Sequence, residues 1–219
     1  MKNFIPVLKR TQLFSGLSDE EILSMLNCMN AELKFFKKGE YVFHQGEHIS
    51  SITVLVDGQL LIQRDDYWGN SNIISNIDVG EMFGESYITP QSEAILNDVI
   101  AAKDSAVMFF DAKKIITACP SACRFHSAVI QNLFFSISDK NRKLVQKLWH
   151  MSKRSTREKL LSYLSEESSR QNSSSFAIPF NRQQLADFLS VDRSAMSNEL
   201  CKMRDEGLIE FSKNQFKLI

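Results

Sequence analysis

Arg193, Ser194, Ser197 and Asn198 lie within six residues of one another, and each side chain can hydrogen-bond a base edge or a phosphate oxygen. Such groups read DNA only when one rigid element presents them together, so the flanking residues decide whether that chemistry is available. Met196, Leu200 and Met203 recur at i, i+4 and i+7, which predicts a helix whose apolar face points away from those four residues. Asp192 is suited to cap it, with its charge well placed on the helix dipole. Upstream, Asn181 and Gln184 make a capping-box pattern ahead of Leu185, Phe188 and Leu189, and Ala186 is small enough for a close helix crossing. Ser190, Val191 and Asp192 form the turn between the two helices. Gly207 is a plausible stop, and Leu208-Ile-Glu-Phe and Phe216-Lys-Leu-Ile then flank Ser-Lys-Asn as a hairpin would. The segment reads as helix, turn, helix and β wing, the layout of a DNA reader.

Other constellations could carry different chemistry. Cys119, Cys123 and His126 have i, i+4, i+7 spacing and could offer three ligands to a metal, or a thiol pair to a redox sensor. Pro120 interrupts the helix that would align them, and a fourth ligand is missing. His44, Glu47 and His48 are the candidates for a cupin-like metalloenzyme. Cupin sites take histidines two apart on one strand and another from a later strand, and neither requirement is met. No Ser-His-Asp, phosphate-loop or dinucleotide fingerprint occurs. The expectation is a protein that is not an enzyme and holds no cofactor.

The chain of 219 residues is long enough for two domains with separate cores. No run of about 18 apolar residues suggests a membrane span. The N-terminus lacks the apolar stretch of a secretion signal, and four cysteines do not suggest a disulfide scaffold, so a cytoplasmic location is expected. Overall neutrality hides an asymmetry. Residues 1–117 hold 10 Lys and Arg against 16 Asp and Glu; residues 118–219 hold 16 against 10. DNA attracts the second part and repels the first.

The two parts also differ in style. After a helical segment from about Asp19 to Met29, capped by Ser18, short β runs alternate with glycines from Leu33 to about Phe110. Examples are Tyr41-Val-Phe, Ser51-ITVLV-Asp57, Gln59-LLIQ-Arg64, Asn72-IISNI-Asp78 and Val107-MFF-Asp111. Asp57-Gly58 between two apolar runs predicts a hairpin. Seven or eight such strands predict a β-sandwich or jelly roll. From Ser121 to His150 no Gly or Pro occurs, which allows a helix of about 30 residues. Ile130, Leu133, Ile137, Leu144, Leu148 and Met151 give it a narrow apolar seam, broken at Lys140 and Asn141, that predicts a parallel dimer helix. The fold class is therefore α+β: a sensor roll over 1–117, a dimerisation helix over 118–150 and a winged helix-turn-helix over 151–219.

This order of parts resembles the Crp–Fnr superfamily of transcription regulators. The resemblance covers essentially the whole chain and is most specific in Arg182-QQLADFLSVDRSAMSNEL, in the glycine-spaced strands, and in Val79-GEMFGES at the position of the phosphate cassette. It implies a homodimer on palindromic double-stranded DNA, a small effector that repositions the recognition helices, and RNA polymerase as a further candidate partner. By matching positions, Arg193, Ser194 and Asn198 should face bases, supported by Ser197, while Gln183, beside Arg182, should touch the phosphate backbone. Many members carry Arg where this chain has Asn198, and Asn pairs with adenine where Arg favours guanine.

The sensor departs from the cyclic-nucleotide members. These hold the cyclic phosphate with an Arg and a small hydroxyl residue after a Gly-Glu pair. Gly84 and Glu85 are present here, but Leu96 and Asn97 fall near the other two positions, and no arginine occurs between Arg64 and Arg124. A buried phosphate would lose its strongest contact, and the strand after Lys103 should not aim that residue inward. Cyclic AMP and cyclic GMP are therefore not expected as ligands. A small apolar or aromatic effector would meet Phe83, Tyr87 and Leu96 with Gly84, Glu85 and Asn97, alongside Phe134 and Phe135, with Lys140 or Asn141 reaching a polar group. A hinge near His150–Arg154 would transmit the signal, with the basic segment Lys153-RSTREK near the phosphates or capping the DNA-binding domain.

Overall fold

A short helix, α1 (Ile5–Leu8), precedes α2 (Asp19–Cys28), which Ser18 starts as its place in the sequence predicts. The Ser18 hydroxyl accepts from the Glu21 amide and the Glu21 carboxylate accepts from the Ser18 amide, so two otherwise orphaned donors are satisfied. Eight strands follow: β1 (Glu32–Phe36), β2 (Tyr41–Phe43), β3 (Ser51–Asp57), β4 (Leu60–Asp65), β5 (Ser71–Ile77), β6 (Met82–Phe83), β7 (Asp98–Ala101) and β8 (Ser105–Asp111). The short α3 (Ala112–Ile116) and the long α4 (Arg124–Met151) come next, then α5 (Thr156–Gln171), β9 (Ser175–Ala177), α6 (Arg182–Leu189), α7 (Arg193–Asp205), β10 (Ile209–Ser212) and β11 (Gln215–Leu218). This computed structural model describes residues 1–65, 71–88, 93–117 and 124–219. They divide into two units, Met1–Ile137 and Ser138–Ile219, so the division falls within α4 rather than at either end of it.

The first unit is a roll of two four-stranded antiparallel sheets, ordered β1-β8-β3-β6 and β2-β7-β4-β5. The central strands β3 and β8 are apolar on both faces, and their alternation divides one sheet between two cores. Ile52, Val54, Val56, Ala106, Met108 and Phe110 pack towards the helices, where Leu8, Phe14, Ile22, Met25 and Ile115 meet them and α4 adds Val129 and Leu133. Leu55, Val107 and Phe109 point into the roll against Phe43, Leu60, Ile77, Phe83 and Val99. Continuous apolar runs at these two positions are what burial on both faces requires.

The hairpin expected at Asp57-Gly58 does not form. β3 and β4 are consecutive, but they lie in different sheets, and the turn carries the chain from one to the other. Gly58 has φ of +92°, and a Cβ there would collide with Ser105 Oγ and lie 2.6 Å from the Asp104 carbonyl oxygen. The Asp-Gly pair marks the turn correctly, but β3 pairs along its two edges with β8 and β6, while its two apolar faces enter separate cores.

Candidate nucleic-acid interface

The second unit is built around α6 and α7. Asn181 and Gln184 form the reciprocal capping box at the start of α6. Ser190 then adopts the left-handed conformation that ends it, φ of +51°, and the Val191 amide returns to the Ala186 carbonyl. Asp192 starts α7 by accepting from the Ala195 amide at 2.7 Å. These three local devices fix the turn. Met196, Leu200 and Met203 are then fully buried against Leu185, Ala186 and Leu189 of α6 and against Leu160, Tyr163 and Leu164 of α5.

Burial of that face leaves Arg193, Ser194 and Asn198 exposed together at the N-terminal part of α7. No ion pair engages Arg193 among the described residues. Ser197 is half-buried, and its hydroxyl donates to the Arg193 carbonyl at 2.9 Å. On α6, Gln183 is exposed and its amide donates to Asp187.

Arg182 is placed differently from its neighbour. Its guanidinium lies over the rings of Phe211 and Phe216, 4.8 and 5.0 Å from their centroids. Burial there pushes its pKa down from the ordinary arginine value. It joins the root of the wing to α6, a cation–π role for which sequence spacing has no local signal. The wing itself is the three-stranded sheet β10-β11-β9, with exposed Lys213 in the turn between β10 and β11.

Two basic residues of α5 brace the helix-turn-helix, one at α7 and one at the end of α6. Arg157, at the start of α5, donates to both carboxylate oxygens of Glu206 and, through Nε, to Glu199 of α7. These carboxylates hold the Arg157 pKa above its ordinary value. Lys159 donates to the carbonyls of Leu189 and Ser190, the orphan acceptors at the C-terminus of α6. The segment Lys153-RSTREK thus supplies the N-terminus of α5, where Ser155 and Glu158 form a capping box. Its other lysine, Lys153, lies over the ring of Trp149 at 3.5 Å. His150 is buried, with Nδ1 2.9 Å from Ser162 Oγ and Nε2 3.1 Å from Glu166 Oε2.

The sensor residues are brought together only in part. Phe83 is buried in the roll, edge-on to Phe43. Gly84 has φ of +86° and starts a single 3-10 turn, Glu85–Tyr87. The Tyr87 hydroxyl accepts from the Leu96 amide at 3.3 Å, which ties this turn to the segment before β7. Leu96 is exposed, and Asn97 Oδ1 is buried without a partner among the described residues. Phe134 and Phe135 are exposed on α4. Lys140 and Asn141 belong to the second unit.

Among the other candidates, Cys119 and Cys123 lie outside the described residues. His126 is buried, and its Nε2 is 2.8 Å from the Ile115 carbonyl oxygen. His44, Glu47 and His48 are exposed after β2, with His44 stacked on Tyr41. Among the described residues no group of three or more His, Cys, Asp or Glu side chains could hold a metal. No helix there is long and apolar enough to cross a membrane.

The cyclic nucleotide-binding domain matches residues 33–121, and the Crp-like helix-turn-helix domain matches residues 158–219. Human cGMP-dependent protein kinase 2 is 22% identical over 205 residues, 92% of this chain, which spans about a quarter (26%) of the kinase's length. The Thermus thermophilus catabolite activator protein is similar in structure, with a TM-score of 0.51 and 18% identity over 95% of this chain and 94% of that one. CprK complexed with OCPA reaches a TM-score of 0.63 at 17% identity, covering 89% of this chain and 88% of its own. At these identities the structural likenesses bear on the fold alone.

Proposed function

Because the chain belongs to the Crp–Fnr superfamily of DNA-binding transcription regulators with an effector-binding domain, we propose that it acts in the cytoplasm as a homodimer on a two-fold symmetric operator. In this reading α7 enters the major groove. Arg193, Ser194 and Asn198 meet base edges, while Ser197, Gln183 and Lys213 serve the phosphate backbone. Arg182 contributes indirectly, by holding the wing. The observation that carries the proposal is α7 itself: one face fully buried, the other offering three exposed, base-competent side chains in its first two turns. The dimer is supported by the exposed apolar side chains Leu144, Val145 and Leu148 on α4.

The effector in this proposal is not a cyclic nucleotide. The position expected for the phosphate-binding arginine holds Leu96, whose side chain is exposed, and Lys103 is exposed in the turn after β7. A cyclic phosphate in the cassette would have no guanidinium to meet it. Isothermal titration with cyclic AMP and cyclic GMP should show no tight binding, and sub-micromolar affinity for either would overturn this part. The DNA reading is tested by gel shift on an operator isolated with the protein. Arg193→Ala should weaken binding roughly 10-fold or more, the loss expected for one base-directed Arg, and unchanged affinity would overturn it. Recruitment of RNA polymerase would follow if the bound dimer activates transcription, and a supershift on a promoter fragment would report it.

A further inference from the structure

Cys28 and His126 are 98 residues apart in sequence, yet their side chains meet in the first unit, Cys28 Sγ lying 3.8 Å from His126 Nδ1. Cys28 is the last residue of α2, and His126 stands in the first turn of α4. The other ring nitrogen of His126 is committed. A carbonyl only accepts, so the 2.8 Å contact with the Ile115 oxygen places the N–H on Nε2. In the neutral ring, Nδ1 therefore presents its lone pair to the thiol. The ring is 3% exposed and held by α3 on one side and Cys28 on the other, whereas Cys28 is only half-buried, within reach of a small reagent.

A buried imidazole, oriented by a carbonyl and facing a cysteine, is the arrangement that lets a thiol surrender its proton. The charged residues of α2 and of the start of α3 are placed or engaged elsewhere. Asp19, Glu20 and Glu21 sit at the far end of α2, the Asp111 carboxylate is committed to the backbone amides of Lys113 and Lys114, and both those lysine side chains are exposed. The geometry points to a reactive-thiol site at Cys28, with His126 as its proton acceptor, whose co-reactant is a low-molecular-weight disulfide. The thiol proton passes to Nδ1, and Sγ attacks one sulfur of the disulfide. The Cys28–sulfur bond forms as the disulfide's own bond breaks, and the departing thiolate takes the proton from the imidazolium. The adduct would separate Cys28 from His126 at the junction of α2 with α4, the helix that carries Val129 and Leu133 into the core. This site stands independently of the DNA-binding reading.

The test uses the full-length protein, with iodoacetamide to follow the pH dependence of alkylation at Cys28 and oxidised glutathione as the disulfide. Peptide mass spectrometry separates Cys28 from Cys119, Cys123 and Cys201. Burial alone would raise the midpoint of the native alkylation profile above the ~8.5 of an ordinary thiol, whereas pairing with His126 lowers it. The expected midpoint is at least about one pH unit below that of the same cysteine in the urea-unfolded chain. Glutathione disulfide should add one glutathionyl mass at Cys28 at neutral pH. His126→Asn should return the midpoint to the unfolded value or above. If that variant does not fold, the comparison of native and unfolded wild-type protein decides. A native midpoint at or above the unfolded one, or no glutathionyl adduct at Cys28, overturns the proposal.

Discussion

In α7 the polar residues Arg193, Ser194 and Asn198 stand exposed on a helix whose opposite face is fully buried. In the cassette polar atoms turn inward, with Glu85 Oε2 and Asn97 Oδ1 buried. The difference follows what each region can meet. A polyanionic duplex is too large to enter a protein and must be met by a rigid exposed face. A small molecule can be enclosed, so its polar contacts belong inside. The first region is specified locally by caps and helical spacing. The second depends on strands distant in sequence.

If the two regions stand on separate cores, damage to one should spare the other. Leu200→Ala removes a fully buried side chain of the second unit and should cost about 2–5 kcal/mol. Calorimetry should then show the transition of residues 138–219 lowered by well over ten degrees, with that of the sensor unchanged. Loss of both transitions together would break the comparison.

Gly58→Ala tests the other side. The new methyl would collide with backbone at Asp104 and Ser105 in a conformation that disfavours a side chain, so roughly 1–3 kcal/mol should be lost. Urea unfolding should show that loss in the sensor only, with operator affinity retained by the folded fraction. A neutral substitution would mean that the crossing between sheets is not constrained at Gly58.

A smaller effect sharpens the picture of the second unit. Burial pushes the His150 pKa below its ordinary value of 6.5, against the opposing pull of Glu166. The unfolded chain therefore takes up the proton first as pH falls. Stability is complete above the unfolded value and is lost progressively as pH drops from about 7 towards the depressed folded value. Thermal melts of wild-type protein should show the second transition falling across this window, and His150→Gln should flatten the slope. A second transition that rises on acidification would contradict the cause assigned to His150.

These contrasts also explain what could be read from the chain. The two helices of the DNA-binding module, their caps and the left-handed stop all rest on residues within a few positions of each other, and Asn181, Gln184, Ser190 and Asp192 do what their spacing predicts. The β-rich character of the roll and a count of seven or eight strands were legible in the same way, because apolar runs and glycines are local signals. Strand pairing was not, as Asp57-Gly58 shows: the turn is correct, but its two strands part company because both edges of β3 are taken by β8 and β6, strands distant in sequence. Arg182 and Arg157 share the limitation. Each looks like one more cation available to DNA, yet one is drawn to the rings of Phe211 and Phe216 and the other to Glu199 and Glu206, partners fixed by tertiary packing. The meeting of Cys28 with His126 had no sequence signal at all.

The central claim is that the exposed face of α7 reads DNA, and selection of binding sites from a random duplex pool tests it most directly. Full-length wild-type protein should enrich a two-fold symmetric site, and Asn198→Arg should enrich one in which an adenine of each half-site gives way to guanine, other positions being kept. Enrichment of no defined site by the wild type, or of the same site by both proteins, would contradict it.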